Sequence, residues 1–449
     1  MASAGPGAGL LEELAFHSFA PFTVAARVGT PPQDVRLLLD TSSGITWVFG
    51  SNCSSCDRGA PRYAAGASSS AAQLAPHFSL QLLHGSGLEG RVVSDAVSVG
   101  PLSVAAQPVA VVERVLEARD RQKAKADAVD DDAQGHMPGI SLRSRGPDDD
   151  CFTSKLLSHV LQPCQLRASK LLLQAGASGV LGMGRSSIAG RDRGEPASLF
   201  DSLVLQGSLP DDVFTLDMSP MAGKVGSLHL GGAAPQGTYA GRVRYYNCSD
   251  AQRWQLSFES VHVRARPPPG SRERVARAQF SGHYCLDGPR TRCEASLSSG
   301  SAFVVGPAAS VASLLLELQV DTDCHNLDRL PSLFFRVLGH DYEVAPSEYV
   351  LRIAHEGRTK CVAAVLPHRD EANRRDWLLG APFFRRHVVV FDRRRHRIGI
   401  AEKASAASDR GGAAPDDDYA QTDLSESDLA APDDVSVSAA ASWAEGNIY

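Results

Sequence analysis

The chain contains the same strand–turn–strand pattern twice, and only the first copy has a carboxylate in its turn. In residues 37–48, three leucines lead into Asp40, a turn of small residues follows, and a second apolar run begins at Trp47. Residues 295–307 have the same outline, but Ser298 stands in the place of Asp40. Apolar runs interrupted by Ser and Gly predict strands joined by tight loops. The repeat therefore predicts two similarly built halves, each presenting one such loop.

Short apolar runs separated by breakers continue along most of the chain, which has 40 glycines and 26 prolines. This punctuation is typical of strands, so we predict an all-β protein with a few short helices. Helical patterns occur at residues 151–164, 198–206 and 308–318. An apolar-apolar-Gly element lies late in each half, at residues 180–182 and 378–380. Glycine at that position permits a close approach of two backbone segments, as expected where loops cross.

Composition shifts along the chain predict its division into parts. We expect an N-terminal extension at residues 1–15, an N-terminal lobe at 16–225 and a C-terminal lobe at 226–403. Residues 117–150 are charged, poor in apolar side chains and contain two Asp triplets, which predicts a disordered acidic insertion in the first lobe. Residues 404–449 are rich in Ala, Ser and Asp, which predicts a disordered acidic tail.

The nine cysteines indicate disulfides and an oxidising compartment. Their spacing fits no zinc pattern, so we expect no metal and no other cofactor. The spacing predicts four local pairs and leaves Cys248 over; the pairs are Cys53 with Cys56, Cys151 with Cys164, Cys285 with Cys293, and Cys324 with Cys361. We therefore place the protein in the secretory pathway or outside the cell. The first 20 residues contain no recognisable signal peptide, so an intracellular location stays open.

Charge and hydropathy narrow the range of partners. The formal net charge of −6 gives no reason to expect nucleic acid. The sequence has no apolar run of the roughly 18 residues that a membrane span requires. We expect a monomer.

The ordered motifs resemble those of the pepsin-like aspartic peptidases, family A1, over residues 16–403. That family's first active-site motif, Asp-Thr-Gly-Ser-Ser followed by Trp-Val, is matched by residues 40–44 and 47–48. Residues 29–33, 177–184 and 377–401 are similar to the strand connection before this motif, the apolar-apolar-Gly element and the C-terminal signature. The resemblance implies a bilobal double β-barrel with an interlobe active-site cleft. It also implies a peptide, protein or other extended ligand in that cleft.

The resemblance assigns roles to individual residues. It places Asp40 at the first catalytic aspartate, with Thr41, Ser42, Ser43, Ser299, Gly300 and Ser301 in the supporting loops. It places disulfides at three of the four pairs named above, excluding Cys151 with Cys164. The flap over the cleft corresponds to Leu83, His84 and Gly85, and Trp47 is expected in the core or in a subsite wall.

Three departures from the family pattern bear on activity. Ser298 stands at the second catalytic aspartate, Ser42 replaces the glycine of the first motif, and Leu83 or His84 replaces the flap tyrosine. Hydrolysis by this route needs two carboxylates that share one proton, because like charges so close cannot both ionise. A serine hydroxyl cannot replace the protonated member of that pair.

We therefore expect a homologue of aspartic endopeptidases that binds an extended ligand without cleaving it. One alternative is an active endopeptidase that hydrolyses peptide bonds at acid pH. It requires another carboxylate near Asp40, and Glu294 lies about 13 Å back along the strand from Ser298. A second alternative is a cleft adapted to a different, non-proteolytic reaction. No Gly-X-Ser-X-Gly elbow surrounds Ser298, which disfavours a serine nucleophile there.

Overall fold

The computed structural model describes residues 22–56, 61–81, 87–116, 177–185, 197–218, 226–233, 237–265, 293–355, 358–368 and 376–404. Strands dominate these segments, as the Gly- and Pro-punctuated sequence predicts. The strands are β1 (Thr23–Val28), β2 (Gln33–Asp40), β3 (Trp47–Phe49), β4 (Ala72–Gln81), β5 (Gly87–Val99), β6 (Leu102–Leu116), β7 (Gly179–Gly182), β8 (Val213–Asp217), β9 (Ser227–Leu230), β10 (Tyr239–Asn247), β11 (Gln255–Phe258), β12 (Ser260–Arg264), β13 (Cys293–Leu297), β14 (Val304–Gly306), β15 (Ser332–Val337), β16 (His340–Val344), β17 (Val350–His355), β18 (Arg358–Ala363), β19 (Val365–Pro367), β20 (Trp377–Leu379), β21 (His387–Asp392) and β22 (Arg397–Lys403).

The described helices are short. They are α1 (Leu199–Leu205), α2 (Ala308–Leu318), α3 (Pro346–Tyr349) and α4 (Ala381–Arg386), and a 3₁₀ turn covers Ala65–Ala67. The first two agree with the predicted helical patterns, and Ser198 caps α1 by accepting the Asp201 N–H at 3.1 Å. The sequence reading missed α3 and α4.

The first half of the chain forms a sheet in the order β1-β2-β7-β3-β6-β5-β4. A further pairing of β1 with β5 closes six of these strands into a barrel. The second half forms a sheet in the order β11-β13-β20-β14-β19. Smaller sheets, β12-β15-β16 and β17-β18, complete that half.

The two halves repeat one topology. The order β1-β2-β7-β3-β6 in the first half corresponds strand by strand to β11-β13-β20-β14-β19 in the second. In both halves the successive pairings are antiparallel, parallel, antiparallel and parallel. This confirms the predicted all-β class and the bilobal, pepsin-like arrangement. The boundaries proposed for the lobes remain predictions.

A third sheet, in the order β10-β22-β21-β8-β9, joins strands from both predicted lobes. An aromatic cluster packs beside it: Phe391 of β21 stacks on Phe214 of β8 at 4.5 Å, and Trp254 meets Phe391 edge to face at 5.1 Å. All three side chains are at most 2% exposed, so this cluster is part of the continuous core.

Two of the predicted disulfides are present, Cys53–Cys56 and Cys324–Cys361. Cys293 is also disulfide-bonded, whereas Cys285, Cys151 and Cys164 lie outside the described residues. Cys248 is free and half-buried. The insertion at 117–150, the N-terminal extension and the tail from residue 405 also lie outside the described residues. No helix in the described part of the chain is long and apolar enough to cross a membrane.

Candidate active site

Asp40 and Ser298 follow equivalent strands in the two halves. Asp40 ends β2 and pairs with Gly182 of the parallel strand β7, while Ser298 directly follows β13 and its N–H donates to the Leu379 carbonyl at 3.0 Å. The predicted loop crossings depend on the two glycines. A Cβ on Gly182 would lie 2.6 Å from the Ile45 carbonyl oxygen, and one on Gly380 would lie 2.2 Å from that of Phe303. Such contacts are sterically forbidden, so glycine is required at both positions.

A reciprocal set of hydrogen bonds joins the two loops. The Thr41 hydroxyl donates to the Leu297 carbonyl at 2.7 Å and accepts the Ser299 N–H at 3.0 Å. The Ser299 hydroxyl donates to the Leu39 carbonyl at 2.7 Å and accepts the Thr41 N–H at 3.1 Å. Both side chains are 1% exposed. We call these four bonds the cross-brace; they fix the relative position of the two strand ends and hence of Asp40 and Ser298.

Ser43 and Ser301 occupy matching places in the two loops. Each hydroxyl accepts the N–H of the residue two positions later, from Ile45 and Phe303 respectively, at 3.2 Å in both cases. These local bonds stabilise the turns that the small residues predict. The supporting role proposed for both serines therefore has a structural basis in turn formation.

Three hydroxyl and carboxyl groups meet between the loops. Ser42 donates to Asp40 Oδ1 through its hydroxyl at 2.7 Å and through its N–H at 2.9 Å. The Ser298 hydroxyl lies 3.1 Å from the Ser42 hydroxyl and 3.4 Å from Asp40 Oδ1. Ser42 thus contacts both the Asp40 carboxylate and the Ser298 hydroxyl, which also reaches the carboxylate directly.

Gly300 completes the surroundings of Asp40. A Cβ there would lie 2.8 Å from the Asp40 Cγ, so glycine is required for the close approach of this backbone to the carboxylate. Burial raises the pKa of Asp40. Hydrogen bonds from Ser42, Ser298 and the Gly300 N–H oppose this rise without cancelling it.

Other carboxylates in this region lie further along the strands. Glu294 accepts the Ser257 hydroxyl at 2.7 Å and also binds the Ser249 hydroxyl. Asp376 immediately precedes Trp377, which pairs with Ala295. Measured along the strand backbone, both acids are therefore about four residues, or 13 Å, before the position of Ser298. Among the described residues, Asp40 is hydrogen-bonded by hydroxyls and backbone N–H groups.

A small cavity opens beside Thr41 and Ser42, and sequence reasoning missed its charged walls. It is lined by Thr41, Ser42, Arg253, Trp254, Ser296, Leu297, His368, Asp376 and Leu378. Arg253, His368 and Asp376 come from three separate segments without any motif of their own, so no local signal identifies them. The space open to the centre of a water molecule is about 20 Å³, enough for one ordered water or a group of similar size.

The remaining predicted site residues are divided between the core and the part of the chain that is not described. Trp47 is 1% exposed and meets Phe49 edge to face at 5.4 Å, so it is a core residue. Leu83, His84 and Gly85 lie outside the described residues. Within the described segments, no three His, Cys, Asp or Glu side chains are grouped as metal ligands would be.

Duplicated sheets, crossing loops and an inter-loop carboxylate define a protein of the aspartic-peptidase class. The family model for eukaryotic aspartyl proteases matches residues 22–129 and 164–403. The chain therefore belongs to the eukaryotic aspartyl protease family.

Individual relatives agree with this assignment. The chain is 26% identical over 392 residues to cathepsin D of Chionodraco hamatus, covering 84% of this chain and 79% of that protein. It is 25% identical over 397 residues to human cathepsin D, with the same two shares. It is 26% identical over 389 residues to pepsin A-5 of Mus musculus, covering 84% of this chain and 80% of that protein.

Proposed function

We propose that this protein binds a peptide or other extended ligand in its cleft without hydrolysing it. The observation that carries the proposal is the 3.4 Å contact between the Ser298 hydroxyl and Asp40, at the place where the family has its second carboxylate. Family membership supports peptide binding, since aspartic peptidases hold their substrates in this cleft. The departure at Ser298 concerns the chemistry and leaves the fold that forms the cleft intact.

The chemistry argues against turnover because, among the described residues, Asp40 is hydrogen-bonded by hydroxyls and backbone N–H groups and by no second carboxylate. In a dyad, the ionised member accepts a proton from water while the protonated member polarises the scissile carbonyl. Ser298 and Ser42 can donate hydrogen bonds, but a hydroxyl does not change its ionisation state between pH 2 and 7. The raised pKa of Asp40 also reduces the fraction of the ionised base at acid pH. Loss of general acid–base assistance costs about 10²–10⁴-fold in rate.

Active proteolysis at acid pH is the competing function, and similarity to cathepsin D and pepsin is the observation that favours it. The two functions differ in their response to Ser298→Asp. We expect the wild-type protein to leave unfolded protein substrates intact from pH 2 to 7 while binding a pepstatin-type inhibitor. We expect Ser298→Asp to gain cleavage, and Asp40→Asn in the Ser298→Asp background to lose it again.

The double variant is the control for a contaminating protease, because only cleavage by the restored dyad requires Asp40. Robust wild-type cleavage that disappears in Asp40→Asn would overturn the proposal. If no variant bound the inhibitor or cleaved the substrates, a cleft adapted to another reaction would be favoured instead.

We also propose a location in the secretory pathway or outside the cell. The disulfides Cys53–Cys56 and Cys324–Cys361 support it, because such bonds persist in oxidising compartments. Measuring the thiol content of protein isolated from its native source under alkylating conditions tests this. Alkylation of Cys53, Cys56, Cys324 or Cys361, in addition to Cys248, would contradict the proposed location.

A further inference from the structure

We propose that Asn247 carries an N-linked oligosaccharide whose first sugar packs on Tyr245. The inference goes beyond the cleft and its ligand, and it rests on the proposed location, because this modification is made in the secretory pathway. It is carried by the sequence around Asn247, by the exposure of its side chain and by the surface beside it.

Asn247 has the sequence and the exposure of an acceptor residue. It begins an Asn-X-Ser triplet, Asn247-Cys248-Ser249, which is the pattern that N-glycosylation requires. It is exposed and ends β10, which is the outermost strand of its sheet among the described strands. A glycan attached to its Nδ2 would therefore extend away from the sheet without displacing a packed side chain.

The attachment is a group transfer from an oligosaccharide that is carried on a lipid diphosphate. A bond forms between Asn247 Nδ2 and C1 of the first N-acetylglucosamine, and the bond from C1 to the phosphate oxygen breaks. The electron pair of that bond leaves with the lipid diphosphate, and the amide nitrogen gives up one proton to the transferase. The step requires neither an oxidant nor a reductant.

Tyr245 offers a surface for the first sugar. It lies two residues before Asn247 on β10, so both side chains project from the same face of the strand. Tyr245 is 38% exposed, whereas Tyr246 between them is 8% exposed and faces the core. A sugar ring has an apolar C–H face that can pack on an aromatic ring while its hydroxyls stay in water. The strand geometry thus places such a ring beside the point of attachment.

The Tyr245 ring is held in position before any sugar is attached. It crosses Gly399 of β22, where a Cβ would lie 2.7 Å from Tyr245 Cε1. Arg397 is directly opposite Asn247 and places its guanidinium carbon 4.0 Å from the centroid of the ring. The guanidinium is fixed by its Nε–H, which is donated to Asp392 at 2.8 Å. A guanidinium has five N–H donors, so others can bind sugar hydroxyls.

A second triplet of the same composition, residues 52–54, is the natural comparison, and Asn52 is also exposed. Two features separate the triplets. Cys53 is disulfide-bonded, which constrains the first triplet. Cys248 is free, and burial raises the pKa of its thiol to about 11, which keeps it protonated and unreactive. Gly50, two residues before Asn52, has no ring to receive a sugar. We therefore expect modification of the second triplet alone.

The first experiment uses protein isolated from its native source under alkylating conditions. Peptide N-glycosidase in heavy-oxygen water converts a glycosylated asparagine into a labelled aspartate, which mass spectrometry locates. We expect the label at residue 247 and none at residue 52. The same peptides report which cysteines were alkylated, so the location is tested in the same sample.

The second experiment uses variants of the full chain, secreted from cultured cells behind a cleavable signal peptide. Asn247→Gln removes the acceptor and Ser249→Ala removes the hydroxyl of the triplet, so each should lose the glycan completely. Asn52→Gln is the matched control and should keep the glycan.

The role of Tyr245 is tested by comparing the midpoints of thermal unfolding before and after enzymatic removal of the glycan. Removal should lower the midpoint of the wild-type protein and of Tyr245→Phe, and it should leave that of Tyr245→Ala unchanged. Because each variant is compared with its own deglycosylated form, any effect of the substitution on packing cancels. Tyr239→Ala, at the other end of β10, is the matched control and should keep the wild-type difference.

The outcomes separate this inference from the proposals on which it rests. An unmodified Asn247 in native protein whose disulfides are intact overturns the inference alone, as does a glycan at Asn52 in its place. Alkylated Cys53 and Cys324 together with an unmodified Asn247 overturn the proposed location as well. An equal effect of glycan removal in the wild-type protein and in Tyr245→Ala overturns the packing on Tyr245. Inhibitor binding in the cleft is measured independently and bears on the proposed function only.

Discussion

The four hydrogen bonds of the cross-brace allow a prediction about stability. Thr41→Val keeps the side-chain shape but deletes the bonds to the Leu297 carbonyl and from the Ser299 N–H. Ser299→Ala deletes the bonds to the Leu39 carbonyl and from the Thr41 N–H. A buried hydrogen bond contributes about 0.5–1.5 kcal/mol net, and an abandoned buried partner costs about 1–3 kcal/mol. Each substitution should therefore lower the free energy of unfolding by about 2–4 kcal/mol.

The double variant should cost less than the sum of the two single variants. Both side chains hold the same two strand ends together. Because the first substitution already weakens this connection, the second should lower the free energy of unfolding by less than it does in the wild-type protein. Interaction energies for such neighbours are about 0.5–3 kcal/mol. Urea unfolding followed by tryptophan fluorescence, with disulfides intact and m-values compared, measures this.

Ser43→Ala is the matched control for the cross-brace. Its hydroxyl lies in the same loop but bonds only the backbone of Ile45, at 3.2 Å to the N–H and 3.4 Å to the carbonyl. We expect a cost of about 1 kcal/mol or less. Equal costs for Ser43→Ala and Ser299→Ala would refute the view that the inter-loop bonds matter more than turn formation.

Three further changes have expected results. Gly300→Ala should abolish binding of a pepstatin-type inhibitor and lower the unfolding midpoint, because its Cβ would meet Asp40 Cγ at 2.8 Å; Gly66→Ala, with no atom within 4 Å of its Cβ, should do neither. Asp40→Asn should stabilise the protein at pH 7 but not below pH 3.8, the ordinary pKa of aspartate. The pKa of Asp40 is raised in the folded state, so the stability of the wild-type protein falls as pH rises from the unfolded-state pKa to the folded-state pKa. A difference in urea midpoint between the two proteins that stays constant with pH would contradict this. Replacing both cysteines of Cys324–Cys361 by alanine should cost about 4 kcal/mol, against about 2 kcal/mol for Cys53–Cys56, because the former closes the longer loop, with a separation of 37 residues against 3; equal urea midpoints would argue against the loop-entropy account.

The loops around Asp40 and Ser298 could be predicted from sequence because each is a contiguous pattern and the pattern occurs twice. Apolar residues specify the strand, small residues specify the turn, and Gly182 and Gly380 mark the crossings. The sequence-derived positions of these residues agree with the geometry for that reason. The exclusion of Glu294 from the dyad stays a prediction that rests on strand rise.

The cavity and the short helices α3 and α4 could not be predicted in the same way. Arg253, His368 and Asp376 are brought together only by the pairing of β13 with β20 and by the loops around them. A single charged residue in a loop carries no periodic signal. Residues 381–386 are too few to show a helical period, and Pro382 lies in the first turn of α4, where its missing N–H costs nothing.

The sheet β10-β22-β21-β8-β9, which joins strands from both predicted lobes, has a consequence for how the chain folds during its synthesis on the ribosome. Its two central strands, β22 and β21, are synthesised after all the other described strands, and they separate β10 from β8 and β9. The closed barrel of the first half can therefore form during translation, whereas the joint between the halves must wait for residues 387–403. A truncated product ending before residue 387 would leave β8 and β10 with open edges, which are sites for aggregation and for recognition by chaperones.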